Sequence, residues 1–123
     1  MIAATPPVKI SASYTFEAAH RLPKLPPEHK CHRLHGHNYK LDVIVSGELD
    51  ARGFVMDFAE LDDVVAPLVA IVDHRYLNEI DGLDNPTAEV IALWFRERIA
   101  AKIGKRHVTV RLWETPRYSV EVS

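Results

Sequence analysis

His35-Gly36-His37 sets two imidazoles two positions apart. On a strand, that spacing sends both side chains to one face, where they can converge on a single ion. Gly36 between them leaves room for another backbone or a ligand to approach. A third imidazole, His20, ends the segment Phe16-Glu-Ala-Ala-His20. If that segment closes a strand antiparallel to the one carrying His35 and His37, His20 supplies a third nitrogen. Three imidazoles with one open position are the donor set of a catalytic zinc site, in which the metal polarises a substrate oxygen. The plain alternative is a set of strand histidines in polar surroundings. The place of His20 at the end of the partner strand favours the metal.

Three further groups carry chemistry. Cys31 lies four residues before His35, on a proline-rich loop beside Lys30, His32 and Arg33. A free cysteine is commonly a small buried hydrophobe, but these basic neighbours favour thiolate and exposure. Cys31 then either completes a closed structural zinc site with the three histidines or acts as base or nucleophile beside an open one. Asp73-His74 pairs a carboxylate with an imidazole, which raises basicity and fixes the tautomer where the side chains meet. Glu114, by its parity with Val108, Val110 and Leu112, falls on an apolar strand face. A buried carboxylate there suits a ligand with N–H donors, and a frayed, exposed strand end is the alternative. His29, His32 and His107 read as surface residues. Zinc hydrolase chemistry ranks below these readings, because no glutamate lies within the H-x-H motif to serve as its base.

The elements that must position these groups are legible in the hydrophobic pattern. Residues 8–16 alternate, with Val8, Ile10, Ala12, Tyr14 and Phe16 on one side, as in a half-buried strand. A second strand is expected from His35 to about Leu49, with Tyr39, Leu41, Val43 and Val45 sharing the histidine face. The loop between them, residues 21–34, is broken by Pro23, Pro26 and Pro27. Asp57 and Glu60 form a capping-box pattern ahead of Leu61, Val64, Val65, Leu68, Val69 and Val72 at helical spacing. Pro67 should kink or split that helix. A second helix begins near Asn85-Pro86-Thr87, with Asn85 and Thr87 both eligible as cap, runs through Ile91, Phe95 and Ile99, and stops before Gly104. Strands over 107–115 and 117–122, joined by a tight turn at Pro116, complete a β-β-α-α-β-β order. That order is α+β, an antiparallel sheet with two helices on one face. The outer face, with Lys9, Lys40, Asp42, Arg111 and Glu121, suits either water or a wet lumen formed by several joined subunits.

A chain of 123 residues fits one domain, residues 1–123. Apolar residues at 47% and charged residues at 26% fit a soluble globular fold. A net charge of -2 gives no global attraction to nucleic acid or an anionic membrane. Residues 1–8 lack the features of a signal peptide, and the longest apolar run is too short to span a membrane. One cysteine forms no intrachain disulfide, so a cytoplasmic location is expected.

Six ordered segments together resemble the 6-pyruvoyltetrahydropterin synthase / 6-carboxytetrahydropterin synthase family. They are Phe16-Glu-Ala-Ala-His20-Arg-Leu22, Cys31-His-Arg-Leu-His35-Gly-His37-Asn-Tyr39, Met56-Asp-Phe-Ala-Glu-Leu61, Asp73-His-Arg-Tyr-Leu-Asn78, Asn85-Pro-Thr-Ala-Glu89 and Glu114-Thr115. The resemblance implies the tunnelling fold: a four-stranded antiparallel sheet with two helices inserted after the second strand. It also implies trimeric barrels stacked as a homo-hexamer, with active sites between subunits where Cys31 of one chain meets Asp73 and His74 of another. By the family pattern His20, His35 and His37 hold Zn2+, Cys31 is the proton-transfer thiol, Asp73 and His74 assist it, and Glu114 anchors the pterin's pyrimidine edge. After Glu114-Thr115 the chain reads Pro-Arg-Tyr-Ser-Val, without the glycine-rich turn of the family, so the floor of the pterin pocket differs in detail.

The implied substrate is 7,8-dihydroneopterin triphosphate. The short Cys31-x-x-x-His35 spacing resembles the bacterial 6-carboxytetrahydropterin synthases, which release triphosphate and acetaldehyde and feed 7-deazaguanine and queuosine synthesis. Relatives that make 6-pyruvoyltetrahydropterin, without loss of acetaldehyde, are the neighbouring alternative. A non-catalytic module built on a zinc site of Cys31, His20, His35 and His37 is the other. Arg21, Lys24 and Lys30 are the basic residues near enough in sequence to meet the triphosphate.

Overall fold

The computed structural model describes residues 6–123. Residues 1–5, which open the stretch expected to lack a signal peptide, lie outside them. Strand β1 (Val8–His20) runs antiparallel to β2 (His35–Gly47), and β2 to β4 (His107–Trp113). β4 in turn pairs antiparallel with β5 (Ser119–Val122). The first hairpin keeps register over its whole length, from Val8 opposite Gly47 to His20 opposite His35. Alternation therefore sends Phe16, Tyr39, Leu41, Val43, Val45, Val108, Val110 and Leu112 to one buried face. Phe16 and Tyr39, directly opposite in the register, stack with ring centroids 4.8 Å apart.

The expected four strands are five. A two-residue strand, β3 (Arg75–Tyr76), joins the sheet parallel to β1 at Ala18 and Ala19, giving the order β3-β1-β2-β4-β5. Two residues carry no period, so hydrophobic alternation could not announce it. Strand ends also shift inward: β2 stops at Gly47, and β4 and β5 leave residues 114–118 to the connecting turn.

Helix α1 (Phe58–Val72) is continuous through Pro67. Pro67 lies on its exposed side, where water can satisfy the carbonyl that the ring leaves without a donor. The Asp57 side chain accepts from the Ala59 N–H at 2.8 Å, half of the expected capping box. Glu60 meets Arg52 at 3.4 Å. Helix α2 (Ala88–Ala100) is capped by Thr87, whose hydroxyl accepts from the Val90 N–H at 3.1 Å. Leu61, Val65 and Val72 of α1 and Ile91, Phe95 and Ile99 of α2 enter the same core as the inward strand residues, so both helices cover one face. On the other face Asp42 accepts from Ser13 at 2.7 Å and from Trp113 at 2.9 Å, and Arg111 pairs with Glu121 at 3.0 Å. Among the described residues no helix is long and apolar enough to cross a membrane.

Candidate metal centre and its surroundings

The hairpin register places His20 opposite His35 and the small Ala18 opposite His37, which leaves space for three imidazoles at the open end of the β1–β2 pair. One ring nitrogen from each histidine falls within 4.8 Å of the other two. The ring planes stand nearly perpendicular in pairs, at 67°, 89° and 89°. His20 is the only charged or polar side chain fully buried among the described residues.

Backbone carbonyls hold two of the rings in one tautomer. His20 Nδ1–H donates to the Pro86 carbonyl at 2.8 Å, and His35 Nδ1–H donates to the Arg33 carbonyl at 2.7 Å. Each Nε2 is then a bare acceptor, and the two face each other at 3.0 Å. Such outer hydrogen bonds orient ligating histidines. His37 Nε2 is buried without a hydrogen-bond partner. Burial lowers the pKa of His20, with the Pro86 carbonyl acting the other way. Burial likewise lowers that of His37, against the pull of the Glu114 carboxylate. Both shifts favour neutral imidazole, the form that binds metal. Zn–N bonds of about 2.0–2.1 Å in a tetrahedron separate nitrogens by ~3.4 Å. That spacing lies between the 3.0 Å of the His20–His35 pair and the 4.8 Å that bounds the group. The residues fit a small metal ion with nitrogen-donor preference.

Cys31 is not a member of this group. It sits half-buried on a 3₁₀ turn, Lys30–His32, where its N–H donates to His29 Nδ1 at 3.0 Å and its carbonyl accepts from the Leu22 N–H at 2.9 Å. The second bond ties the two ends of the loop together. The four-ligand arrangement with Cys31 is therefore not assembled within the chain. His29 and His107 are exposed as expected, while His32 is half-buried.

Asp73 and His74 do meet, at 2.9 Å between Oδ1 and Nδ1. Glu17, for which the family segment from Phe16 to Leu22 was the only sequence signal, completes the set. Its carboxylate lies 3.3 Å from His74 Nε2, its N–H donates to Asp73 Oδ1 at 3.0 Å, and its carbonyl accepts from the His74 N–H at 2.6 Å. The Glu17 N–H holds the Asp73 carboxyl below its ordinary range, with His74 adding to the effect. His74 adopts a left-handed backbone, φ 57°.

Glu114 is half-buried and lies just past the end of β4, between the two expectations. Its Oε1 lies 3.5 Å from His37 Nε2, on the core side of the sheet. It also borders a cavity of ≈ 330 Å³ with Leu22, Thr87, Glu89, Tyr118 and Val120. Asn78 is a second unforeseen contributor. Its side-chain amide donates to the Arg21 carbonyl at 2.8 Å and accepts from the Arg21 N–H at 3.0 Å, clamping the backbone next to His20. Asn78 and Pro86 both lie in segments of the family resemblance, which was the only sequence signal for either.

A model of the 6-pyruvoyl tetrahydropterin synthase family matches residues 9–123. Among curated relatives, the chain is 42% identical over 110 residues to the dihydroneopterin monophosphate aldolase of Pyrococcus furiosus, covering 88% of this chain and 90% of that one. It is 44% identical over 91 residues to the 6-carboxy-5,6,7,8-tetrahydropterin synthase of Synechocystis sp., covering 69% of each. Its fold superposes on the 6-pyruvoyl tetrahydropterin synthase of Caenorhabditis elegans with TM-score 0.84 at 29% identity, over 99% of both chains. The sheet and the two helices thus sit in a known framework, and the chain belongs to the 6-pyruvoyl tetrahydropterin synthase family.

Proposed function

We propose that the chain is a zinc-dependent 6-carboxytetrahydropterin synthase. It would convert 7,8-dihydroneopterin triphosphate and one water to 6-carboxy-5,6,7,8-tetrahydropterin, releasing triphosphate and acetaldehyde, in 7-deazaguanine and queuosine synthesis. The observation that carries this reading is the convergence of His20, His35 and His37, with Glu114 placed between His37 and an adjoining cavity. Relatives named for that activity support the product.

His20, His35 and His37 would hold a zinc ion, which would supply Lewis-acid stabilisation of charge on substrate oxygens. The protein groups do the rest. Glu114 accepts hydrogen bonds from the ring N–H groups of the pterin. Cys31 thiolate takes a side-chain proton, and His74, braced by Asp73, returns and removes protons as triphosphate leaves. Cys31 makes no hydrogen bond to Asp73 or His74 within the chain among the described residues, which suits a site completed by a neighbouring subunit. The active form is then a homo-hexamer of single-domain subunits, residues 1–123, in the cytoplasm.

A second reading comes from the 42% identical relative named dihydroneopterin monophosphate aldolase. An aldolase breaks a carbon–carbon bond of the same pterin side chain and acts on the monophosphate. Mass spectrometry of products from zinc-loaded protein, offered the triphosphate and the monophosphate separately, decides. A 6-carboxy pterin with acetaldehyde from the triphosphate is the expected result. A 6-pyruvoyl product moves the protein to the neighbouring synthase branch. Cleavage of the monophosphate alone selects the aldolase, and no turnover of either sinks the enzyme reading.

A further inference from the structure

The cavity beside Glu114 has a definite construction. The start of α2 contributes Thr87, Ala88 and Glu89; β5 contributes Ser119 and Val120; Leu22 closes one side. Its volume, ≈ 330 Å³, is at the small end of ligand pockets. One end abuts the histidine group, because Glu114 lies 3.5 Å from His37. The Glu89 and Glu114 carboxylates and the hydroxyls of Thr87 and Ser119 offer acceptors, and Leu22, Ala88 and Val120 offer apolar surface. A ligand that fits is small, planar and rich in N–H donors.

Tyr118 stands at the edge of this space. Tyr118 is 60% exposed, and the Arg117 guanidinium lies 5.3 Å from its ring centroid. The turn that carries it is not loose. Thr115 Oγ1 accepts from the Arg117 N–H at 3.2 Å and from the Tyr118 N–H at 3.1 Å, and the Tyr118 carbonyl accepts from the Glu114 N–H at 3.1 Å. The backbone of Tyr118 is thus tied directly to that of Glu114, and both side chains border the same cavity.

We infer that Tyr118 is a specificity-determining residue that stacks on the conjugated ring of the substrate while Glu114 holds its N–H edge. The inference rests on the pterin reading above. Stacking uses the face of an aromatic ring and does not need the hydroxyl. It also fits the local sequence, where Pro116, Arg117 and Tyr118 stand in a turn without glycine. A bulky, hydrogen-bonded turn can present a ring that a flexible one cannot.

The test is calorimetric titration of the zinc-loaded full chain with neopterin. Tyr118→Ala should weaken binding ~10-fold, and Tyr118→Phe should bind as wild type does. An unchanged melting temperature in both variants shows that the fold is kept, as expected for an exposed side chain. Wild-type affinity in Tyr118→Ala overturns the inference and leaves the pterin reading intact. Equal losses in Tyr118→Ala and Tyr118→Phe overturn stacking in favour of the hydroxyl. Failure of wild type itself to bind neopterin overturns the pterin reading, and this inference falls with it.

Discussion

His20 Nε2 and His35 Nε2 face each other across 3.0 Å while both Nδ1 atoms are committed to backbone carbonyls. Two lone pairs so aligned repel unless a cation lies between or beside them. The arrangement is fixed before any ligand arrives, because the Pro86 and Arg33 carbonyls set the ring tautomers.

Replacing one of these histidines should abolish metal binding without loss of the fold. His35 is only half-buried, so His35→Ala tests binding more cleanly than His20→Ala, which empties a fully buried position. The expected result is a fall in zinc affinity well beyond the roughly 10–100-fold that removal of an outer partner costs. Zinc content by mass spectrometry and circular dichroism check the two halves.

Cys31→Ala should retain zinc and melt as wild type does, because the thiol lies outside the ligand group. Turnover of the triphosphate should fall by about 10²–10⁴-fold, the range for loss of a general acid or base. Zinc lost together with structure would instead support the closed site of one cysteine and three histidines.

The metal-free chain should lose stability as pH falls. Burial holds His20 below its usual value of 6.5 in the folded state, whereas the unfolded chain has no such burial. Unfolded protein therefore takes up more protons in this range, and stability rises with pH. The contribution is present above the unfolded value and is lost as pH drops through the folded one. Melting temperatures of apo-protein from pH 8 to pH 5 should decline mostly below about 6.5, and the decline should flatten in His20→Gln. A curve that is level below that pH would contradict the assignment.

Asn78→Ala should cost about 1–2 kcal/mol in urea denaturation, because the Arg21 N–H and carbonyl both lose a partner. It should also weaken zinc binding, since the clamped backbone adjoins His20. Asn78→Asp, which keeps the acceptor and loses the donor, should fall between the two. Unaltered zinc affinity in Asn78→Ala would limit the residue to a stabilising role.

Much of this was legible from residue type and spacing. The parity of His35, His37 and Tyr39, and the pairing of the Phe16–His20 segment against them, placed three imidazoles together before any coordinates. Glu114 was less readable: its parity with Leu112 pointed inward, but β4 ends at Trp113, and parity does not carry past a strand end. Other parts were opaque for identifiable reasons. The Pro86 and Arg33 carbonyls act through the backbone, which every residue has. Glu17 lies on the outward side of β1, where a polar residue is ordinary, and its partners are 56 and 57 positions away. Thr87 rather than Asn85 caps α2, and both residue types are eligible caps, so type alone did not choose between them.

His74 is the one described non-glycine residue with a positive φ, at 57°. A side chain in that region costs roughly 1–2 kcal/mol. Its contacts with Asp73 and Glu17 are exposed ones, of a kind worth at most about 1 kcal/mol each. Glycine would sit there at ease. The chain thus keeps an imidazole at the bend after α1, between Asp73 and Glu17, at a corner where glycine would relieve the backbone.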